Sequence, residues 1–379
     1  MSGTFVFIES NTTGSGQIFL KKVLDMGMKV LFLTSNPSKY PFLQLELVQP
    51  FIIDTSDYTK IIDFLNTQVN IKAVFSSSDF FIHAAASVSK SLGLSHNNLE
   101  AISTCRDKFQ LYEKLKSANI PVPDSYLIKN DSQAKKTLKK LNYPIIIKPI
   151  SGSGSNHVKL CKSLDEASKH IHPLISEGAI VQTFLDGNEY SIETMSKDGK
   201  HSLIGITKKY LGPLPYFVET GHDFPALCKI NEAKMIEKTV IDALSSIHYS
   251  FGPAHTELRI VNNKPYIIEI NPRLAGGMIP QLILNATGIN MLQSTINLYL
   301  DKPTNLTPTL NLYSSIRFLL AKESGIIDKL CITTKKEKQE YNFTYCFTKK
   351  MGDHVELEHN FKDRLGYVIT THHNAKQCI

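Results

Sequence analysis

Four polar residues past the middle of the chain stand at spacings that suit phosphate chemistry: Glu257, Glu269, Asn271 and Arg273. Glu269 lies in a β-prone run at 265–270 and Asn271 directly after it, two residues on, and residues two apart on a strand share a face. A second strand-like run, 255–261, precedes it across Asn262, Asn263 and Lys264, so antiparallel pairing brings Glu257 beside them. Two carboxylates and an amide oxygen are hard donors, which suit Mg²⁺ carrying substrate phosphates. Arg273 falls on the same alternation, although Pro272 ends regular pairing there; its guanidinium suits a transferring phosphoryl group or a substrate carboxylate. The bland alternative is a solvated strand face with an exposed arginine. Two further segments point the same way. Lys148 ends a run of three isoleucines, where a buried ammonium is costly unless it meets an anion. Ser151, Gly152, Ser153, Gly154 and Ser155 follow, and glycines there let backbone N–H groups approach a phosphate closely.

The elements that must position these residues change character along the chain. In the first hundred residues strand patterns (4–8, 29–34, 72–75) alternate with helical ones that end near Met26 and Leu92. That alternation predicts a parallel sheet with helical crossovers and ligand loops after Ile8 and Phe75. Beyond residue 95, Asn97 or Asn98 caps a short helix, 106–118 reads as one amphipathic helix, and Pro121 and Pro123 break the chain. Strands follow at 125–128, 145–149 and 157–161, with a lysine-rich helix at 132–141. The Asp186-Gly187 pair predicts a hairpin between 180–185 and 189–195, and Asp198-Gly199 a turn into a strand at 201–210. A long helix is expected at 231–249, and further strands at 313–320, 342–347 and 366–371.

Composition narrows the classes. The chain has 379 residues, 42% of them hydrophobic, and a formal charge of +7. At ~100–200 residues per domain that is two or three globular domains. The start of the chain has no basic segment and reaches Glu9 too early for a secretory leader, and no run is long enough to span a membrane, so a cytoplasmic protein is expected. Six scattered cysteines without a C-x-x-C pair read as free thiols. The densest basic cluster, Lys135, Lys136, Lys139 and Lys140, is one solvated helix face, so neither a nucleic-acid nor a membrane partner is expected. A dinucleotide fingerprint at Gly14 and Gly16 fails because Phe19 stands where the third glycine belongs, and there is no P-loop.

In this order the segments resemble the ATP-grasp superfamily, and within it the carboxylate–amine ligases that include the L-amino acid (dipeptide) ligases, over roughly residues 1–300. The resemblance implies an α/β and α+β chain with the ATP-grasp fold. It divides into an N-terminal parallel α/β (pre-ATP-grasp) domain at 1–95, a nucleotide-binding and catalytic domain at 96–300 with its small lobe at about 120–195, and a C-terminal lobe at 301–379 packed on it. It implies ATP and Mg²⁺ (or Mn²⁺) as cofactors, small carboxylate and amine substrates, and the homodimer that is the family's common habit. Lys108 and Lys148 take the roles of the nucleotide lysines, and Ser151, Gly152, Ser153 and Gly154 the closing phosphate loop. Gln182, Phe184 and Leu185 form the adenine hinge, with Glu189 on the ribose hydroxyls. Glu257, Glu269 and Asn271 are the metal set, and Arg273 and Lys148 the phosphoryl-transfer residues. His222, in a stretch (219–226) similar to the family's acceptor segment, is expected near substrate, as are Arg273, Gly276 and Gly277. Gln182 stands where many relatives have Glu and Tyr112 where many have Arg. His255 is expected to be structural. The implied reaction is ADP-forming ligation through an acylphosphate; a formate- or bicarbonate-using ligase and a non-catalytic ATP-binding module are the alternatives.

Overall fold

The computed structural model describes residues 3–12, 15–152, 154, 156–331 and 342–378. Alternating apolar residues sort the first strands onto two faces, and both faces are covered. β1 (Thr4–Ile8), β2 (Lys29–Thr34), β3 (Pro50–Ile52) and β4 (Ile71–Phe75) form a parallel sheet in the order β3-β2-β1-β4. Val6, Ile8, Leu33 and Val74 pack against Ile61, Leu65 and Val88 of helices Tyr58–Asn66 and Ile82–Ser91. On the other face Phe5, Phe7, Phe32 and Phe75 meet Phe19 and Leu20 of helix Ser15–Asp25. That aromatic core runs on into helices Ile279–Thr287 and Met291–Tyr299, where the Tyr299 ring lies 5.1 Å from Phe75 and 5.1 Å from Phe251.

β5 (Ser125–Ile128), β6 (Ile145–Pro149), β7 (Lys159–Cys161) and β8 (Ala179–Thr183) form an antiparallel sheet in the order β5-β8-β6-β7. Helices Asp131–Leu138 and Leu164–Ile171 cover it through Ala134, Leu138, Ala167 and Ile171. The remaining strands are β9 (Asn188–Lys197), β10 (Lys200–Leu211), β11 (Glu219–Phe224), β12 (Gly252–Val261), β13 (Lys264–Asn271), β14 (Tyr313–Leu320), β15 (Gly325–Ile326), β16 (Asn342–Phe347), β17 (His354–Val355) and β18 (Arg364–His372). Eight of them make one antiparallel sheet, β13-β12-β9-β10-β11-β14-β18-β16, while β15 pairs with β17. Helix Ile230–Ser246 covers one face of the large sheet, with Ile236, Val240 and Leu244 on Ile192, Leu258 and Ile270. The turns Asp198-Gly199 (φ 52° and 73°) and Asn262-Asn263 (φ 50° and 59°) take the left-handed conformations that two-residue hairpins need.

Three expectations change. The Asp186-Gly187 pair makes no hairpin: β8 belongs to the small sheet and β9 to the large one, so this dipeptide is the crossing between sheets. Gly187 is needed because a side chain would collide with the Ile260 carbonyl. The short helix capped by Asn98 is present as Leu99–Arg106, and the helix expected over 106–118 starts two residues later, as Lys108–Ser117, because the Asp107 carboxylate caps it by accepting from the Phe109 and Gln110 N–H groups, each at 2.9 Å. The terminal residues enter as β14, β18 and β16 of the large sheet rather than as a lobe beside it. Among the described residues no helix is long and apolar enough to cross a membrane.

Phe7 touches three rings, Phe5 at 5.1 Å and Phe32 and Phe75 at 6.0 Å each. Phe7→Ala is expected to lower stability by about 3–5 kcal/mol in urea unfolding. A change below ~1 kcal/mol would mean that the ring cluster is not packed to native density.

Candidate active site

Strand alternation in the large sheet separates an apolar face from a charged one. Tyr190, Ile192, Ala254 and Leu258 enter the core under helix Ile230–Ser246. Their odd-numbered neighbours Glu189, His255, Glu257 and Arg259 therefore face a cavity of about 370 Å³. β13 keeps this arrangement through a bulge. Leu258 faces Ile267 and Glu257 faces Glu269, which leaves Ile268 as an extra residue. Without it Glu269, two residues after core-facing Ile267, would point into the core. Asn271 then lies opposite His255. A second bulge, at Thr220, puts Leu211 opposite Glu219 while Lys209 stays opposite His222, so Glu219 and His222 share the cavity face despite a spacing of three. Asn11 and Asp79, from the loops after β1 and β4, and Ser15, at the start of the helix after β1, also line the cavity, where the sheet topology placed a ligand.

The charges on this face are paired internally. Lys209, with its side chain only 3% exposed, lies 3.0 Å from Glu189, 2.9 Å from Glu219 and 2.9 Å from Glu257. Burial would drive its ammonium to lose the proton, but the three carboxylates outweigh burial and hold it well above the ordinary lysine range. Burial likewise pushes the Glu219 and Glu257 carboxyls up, and the surrounding cations, Lys209 foremost, hold both below the ordinary range. His255 joins Glu193 through Nδ1 at 2.7 Å and Glu257 through Nε2 at 3.1 Å. Burial opposes its charge, yet the two acids raise it to about 10, so both ring nitrogens donate. Arg259 donates to Glu189 from Nε (3.0 Å) and Nη2 (2.8 Å), and to the Leu185 carbonyl from Nη1 (2.9 Å).

Each expected residue has a definite place. Lys108, first residue of its helix, donates to the Gly152 carbonyl at 2.7 Å and lies 3.4 Å from Glu269. Lys148 is buried and donates to the Gln182 side-chain carbonyl at 3.1 Å, so that oxygen, expected to accept from adenine, already holds a lysine. Burial lowers Lys148 to about 8, with Glu269 pulling it up and Lys108 down. Gly152 and Gly154 have φ of 125° and 68°; Ser151 is exposed beside them, and Ser153 lies outside the described residues. Gly154 rests against Phe361. Phe184, Leu185 and Glu189 line the cavity with Gly276 and Gly277. Arg273 donates to Asp79 from Nε at 2.7 Å and to the Leu274 carbonyl from Nη1 at 2.9 Å. His222 is fully buried, has no hydrogen-bond partner at either ring nitrogen, and lies 3.6 Å from Glu219; burial, the largest influence, lowers it to about 4, so it is neutral.

Sequence reasoning missed Lys209, Arg259, Glu193, Asp79 and Arg364. Arg259 had a readable signal, two residues after Glu257 on one strand face. Lys209 had none that separates it from Lys208, and Asp79 and Arg364 reach the cavity only through the fold.

Residues 105–277, which hold every one of these phosphate and metal candidates, match the ATP-grasp domain family. The chain has the ATP-grasp fold. Its fold resembles that of the L-amino acid ligase from Bacillus licheniformis, with a TM-score of 0.83 at 20% identity, covering 100% of this chain and 95% of that one. In sequence it is 25% identical to an uncharacterised protein of Sinorhizobium fredii over 97% of this chain and 78% of that protein. It is 26% identical to the L-arginine-specific L-amino acid ligase of Bacillus subtilis over 57% of this chain. That match takes in 54% of the ligase, about half its length.

The donor set fits a hard divalent cation. Glu257 and Glu269 face each other across the strands with Asn271 two residues on, and Glu257 is held ionised. Among the described residues no three His, Cys, Asp or Glu side chains form a metal cage of their own.

The buried Lys148 yields a pH test. Its proton is held less tightly in the folded chain (about 8) than at the ordinary 10.5, so its cost to stability is full below pH 8 and disappears as pH rises toward 10.5. Relative to Lys148→Met, the wild type should therefore gain roughly 2–3 kcal/mol between pH 7.5 and 10, read from urea unfolding at each pH. Parallel curves would show that Lys148 titrates as an exposed lysine.

Proposed function

We propose that the protein is an ADP-forming ligase that joins a small carboxylate, with an amino acid as the leading candidate, to an amine through an acylphosphate. The observation that carries this reading is the meeting of Lys108, Lys148 and Arg273 with Glu257, Glu269 and Asn271 around one cavity. The similarity to L-amino acid ligases in sequence and fold supports it.

In this reading Lys108 and Lys148 hold the nucleotide phosphates, and the 182–189 strap takes the adenine, with Glu189 oriented toward the ribose by Arg259. Glu257, Glu269 and Asn271 would hold Mg²⁺, which supplies charge neutralisation for the phosphates. A substrate carboxylate oxygen attacks the γ-phosphorus and ADP leaves. The amine then attacks the acyl carbon, inorganic phosphate departs, and the amine gives up a proton. Arg273 is suited to the developing phosphoryl charge, because Asp79 and the Leu274 carbonyl fix Nε and Nη1 and thereby the plane of the guanidinium. The glycine loop over the phosphates, with Gly154 against Phe361, keeps water from the hydrolysis-prone intermediate.

A screen of amino-acid pairs scored by ADP and phosphate release tests the reaction; ATP binding without release for any pair would leave a binding module instead. Glu269→Ala should keep the fold and lose substrate-dependent ADP release by about 100-fold or more. Undiminished release from the folded variant would remove Glu269 from the metal set.

A further inference from the structure

Of the three carboxylates that meet Lys209, one is held differently from the others. Glu189 gives Oε1 to Lys209 and Oε2 to Arg259, and Glu219 gives Oε1 to Lys209 and Oε2 to Arg364, so both acids are engaged at both oxygens. On Glu257 two cations converge on a single oxygen: Lys209 Nζ lies 2.9 Å and His255 Nε2 3.1 Å from Oε1. Among the described residues no ion pair falls on its Oε2, and the side chain, 21% exposed, lines the cavity. His255 is itself held from behind. It stands opposite Glu193 across the β9–β12 pair, two residues before Glu257, and Nδ1 meets Glu193 Oε1 at 2.7 Å. The Ser191 hydroxyl donates to that same oxygen at 3.1 Å. Glu193 is only 1% exposed and, unlike His255 and Glu257, does not line the cavity. A carboxylate buried behind the wall costs stability and touches no ligand; what it can do is orient the imidazole. Both acids only accept, so the ring donates from both nitrogens and its plane is fixed at two ends.

We propose that Glu193 and His255 are positioning residues for the metal set: they pin Glu257 by Oε1, so that it binds its cation through Oε2 alone. The inference rests on the metal set of the reading above, not on the ligation step, and adds the way in which Glu257 binds. One-oxygen binding has a chemical consequence. Mg²⁺ demands near-octahedral geometry, whereas Ca²⁺ is larger, takes more ligands and often both oxygens of one carboxylate. A Glu257 held at Oε1 therefore favours Mg²⁺ over Ca²⁺. Lys209 alone is a weaker hold, because it has Glu189 and Glu219 to serve as well.

The test measures the Kd of a non-hydrolysable ATP analogue by calorimetry in EDTA, in Mg²⁺ and in Ca²⁺. It compares wild type, Glu193→Gln, and the double variant Glu193→Gln with His255→Phe. The double variant keeps a ring at position 255, frees Oε1 of its second donor, and removes one acid and one cation together, so no buried charge is stranded. His255→Met in the same background carries the test if the phenylalanine variant does not fold. In the wild type Mg²⁺ should tighten the analogue more than Ca²⁺ does. The double variant should shrink that preference about five- to tenfold, with the Kd in EDTA within about twofold of wild type. Glu193→Gln alone should keep the preference, because a side-chain amide can serve Nδ1 whether or not the ring is charged. An unchanged preference in the double variants would overturn the proposal. A preference already lost in Glu193→Gln would overturn it too, by showing that charge and not the hold on Oε1 sets it. Equal Kd values in EDTA and Mg²⁺ for the wild type would remove the metal set and this assignment with it. None of these results depends on whether an amino-acid pair releases ADP, so failure of the ligase reading is separately visible.

Discussion

One ammonium, that of Lys209, is shared by three carboxylates on three different strands, and the charged face of the large sheet depends on it. Glu189 comes from β9, Glu257 from β12 and Glu219 from β11, all within 3.0 Å of a side chain on β10. Taking any one of these ions out of water costs several kcal/mol, and only close pairing with complementary charges offsets that cost. Here the pairing extends outward: Arg259 shares Glu189, His255 shares Glu257, Glu193 closes the far side of His255, and Arg364 shares Glu219. The result is a lattice of alternating signs, each acid contacted by at least one cation. Such a lattice keeps Glu219 and Glu257 ionised despite their burial, as phosphate and cation chemistry requires.

The acids reach that wall because the strands depart from strict alternation at two points. β13 buries Ile267 and then, after the extra residue Ile268, presents Glu269 to the cavity. β11 does the same at Thr220 so that Glu219 and His222 face the same way. A regular β13 would send Glu269 into the apolar core beneath helix Ile230–Ser246, and a regular β11 would turn Glu219 away from the cavity. The bulges are therefore what permit one sheet to bear an apolar core on one face and a cation-rich surface with five carboxylates on the other.

Much of this was legible from the residues, and the gaps have physical causes. The hairpin of β12 and β13 could be read because its turn residues, Asn262 and Asn263, tolerate positive φ. The same rule misread Asp186-Gly187, since glycine there serves close approach to the Ile260 carbonyl and not a turn. Helix periodicity separated the two helices before Lys108 but started the second two residues early, because the side-chain cap at Asp107 sets the boundary. That break matters to the site, because it makes Lys108 a first-turn residue within reach of Gly152 and Glu269. Spacing placed Glu257, Glu269 and Asn271 together because they belong to adjacent strands. It was silent on Asp79 and Arg364, whose partners Arg273 and Glu219 are 194 and 145 residues away.

The Asp79–Arg273 contact shows what such distant placement requires. Asp79 lies just beyond β4 of the parallel sheet, and Arg273 just beyond β13 of the large one. No strand pairing joins the two sheets, so their relative position is set by the apolar body between them. Phe75, at the end of β4, packs on Tyr299, which packs on Phe251 at the entrance to β12, and Leu282 and Ile283 fill the space around them. These rings fix the carboxyl edge of the parallel sheet against the strand that supplies Glu257. Aromatic cores hold such distances well because their interiors are close-packed and yield little. An ion pair of 2.7 Å between the sheets is then a consequence of hydrophobic packing, and the orientation of the Arg273 guanidinium is set as much by Phe75 and Tyr299 as by Asp79 itself.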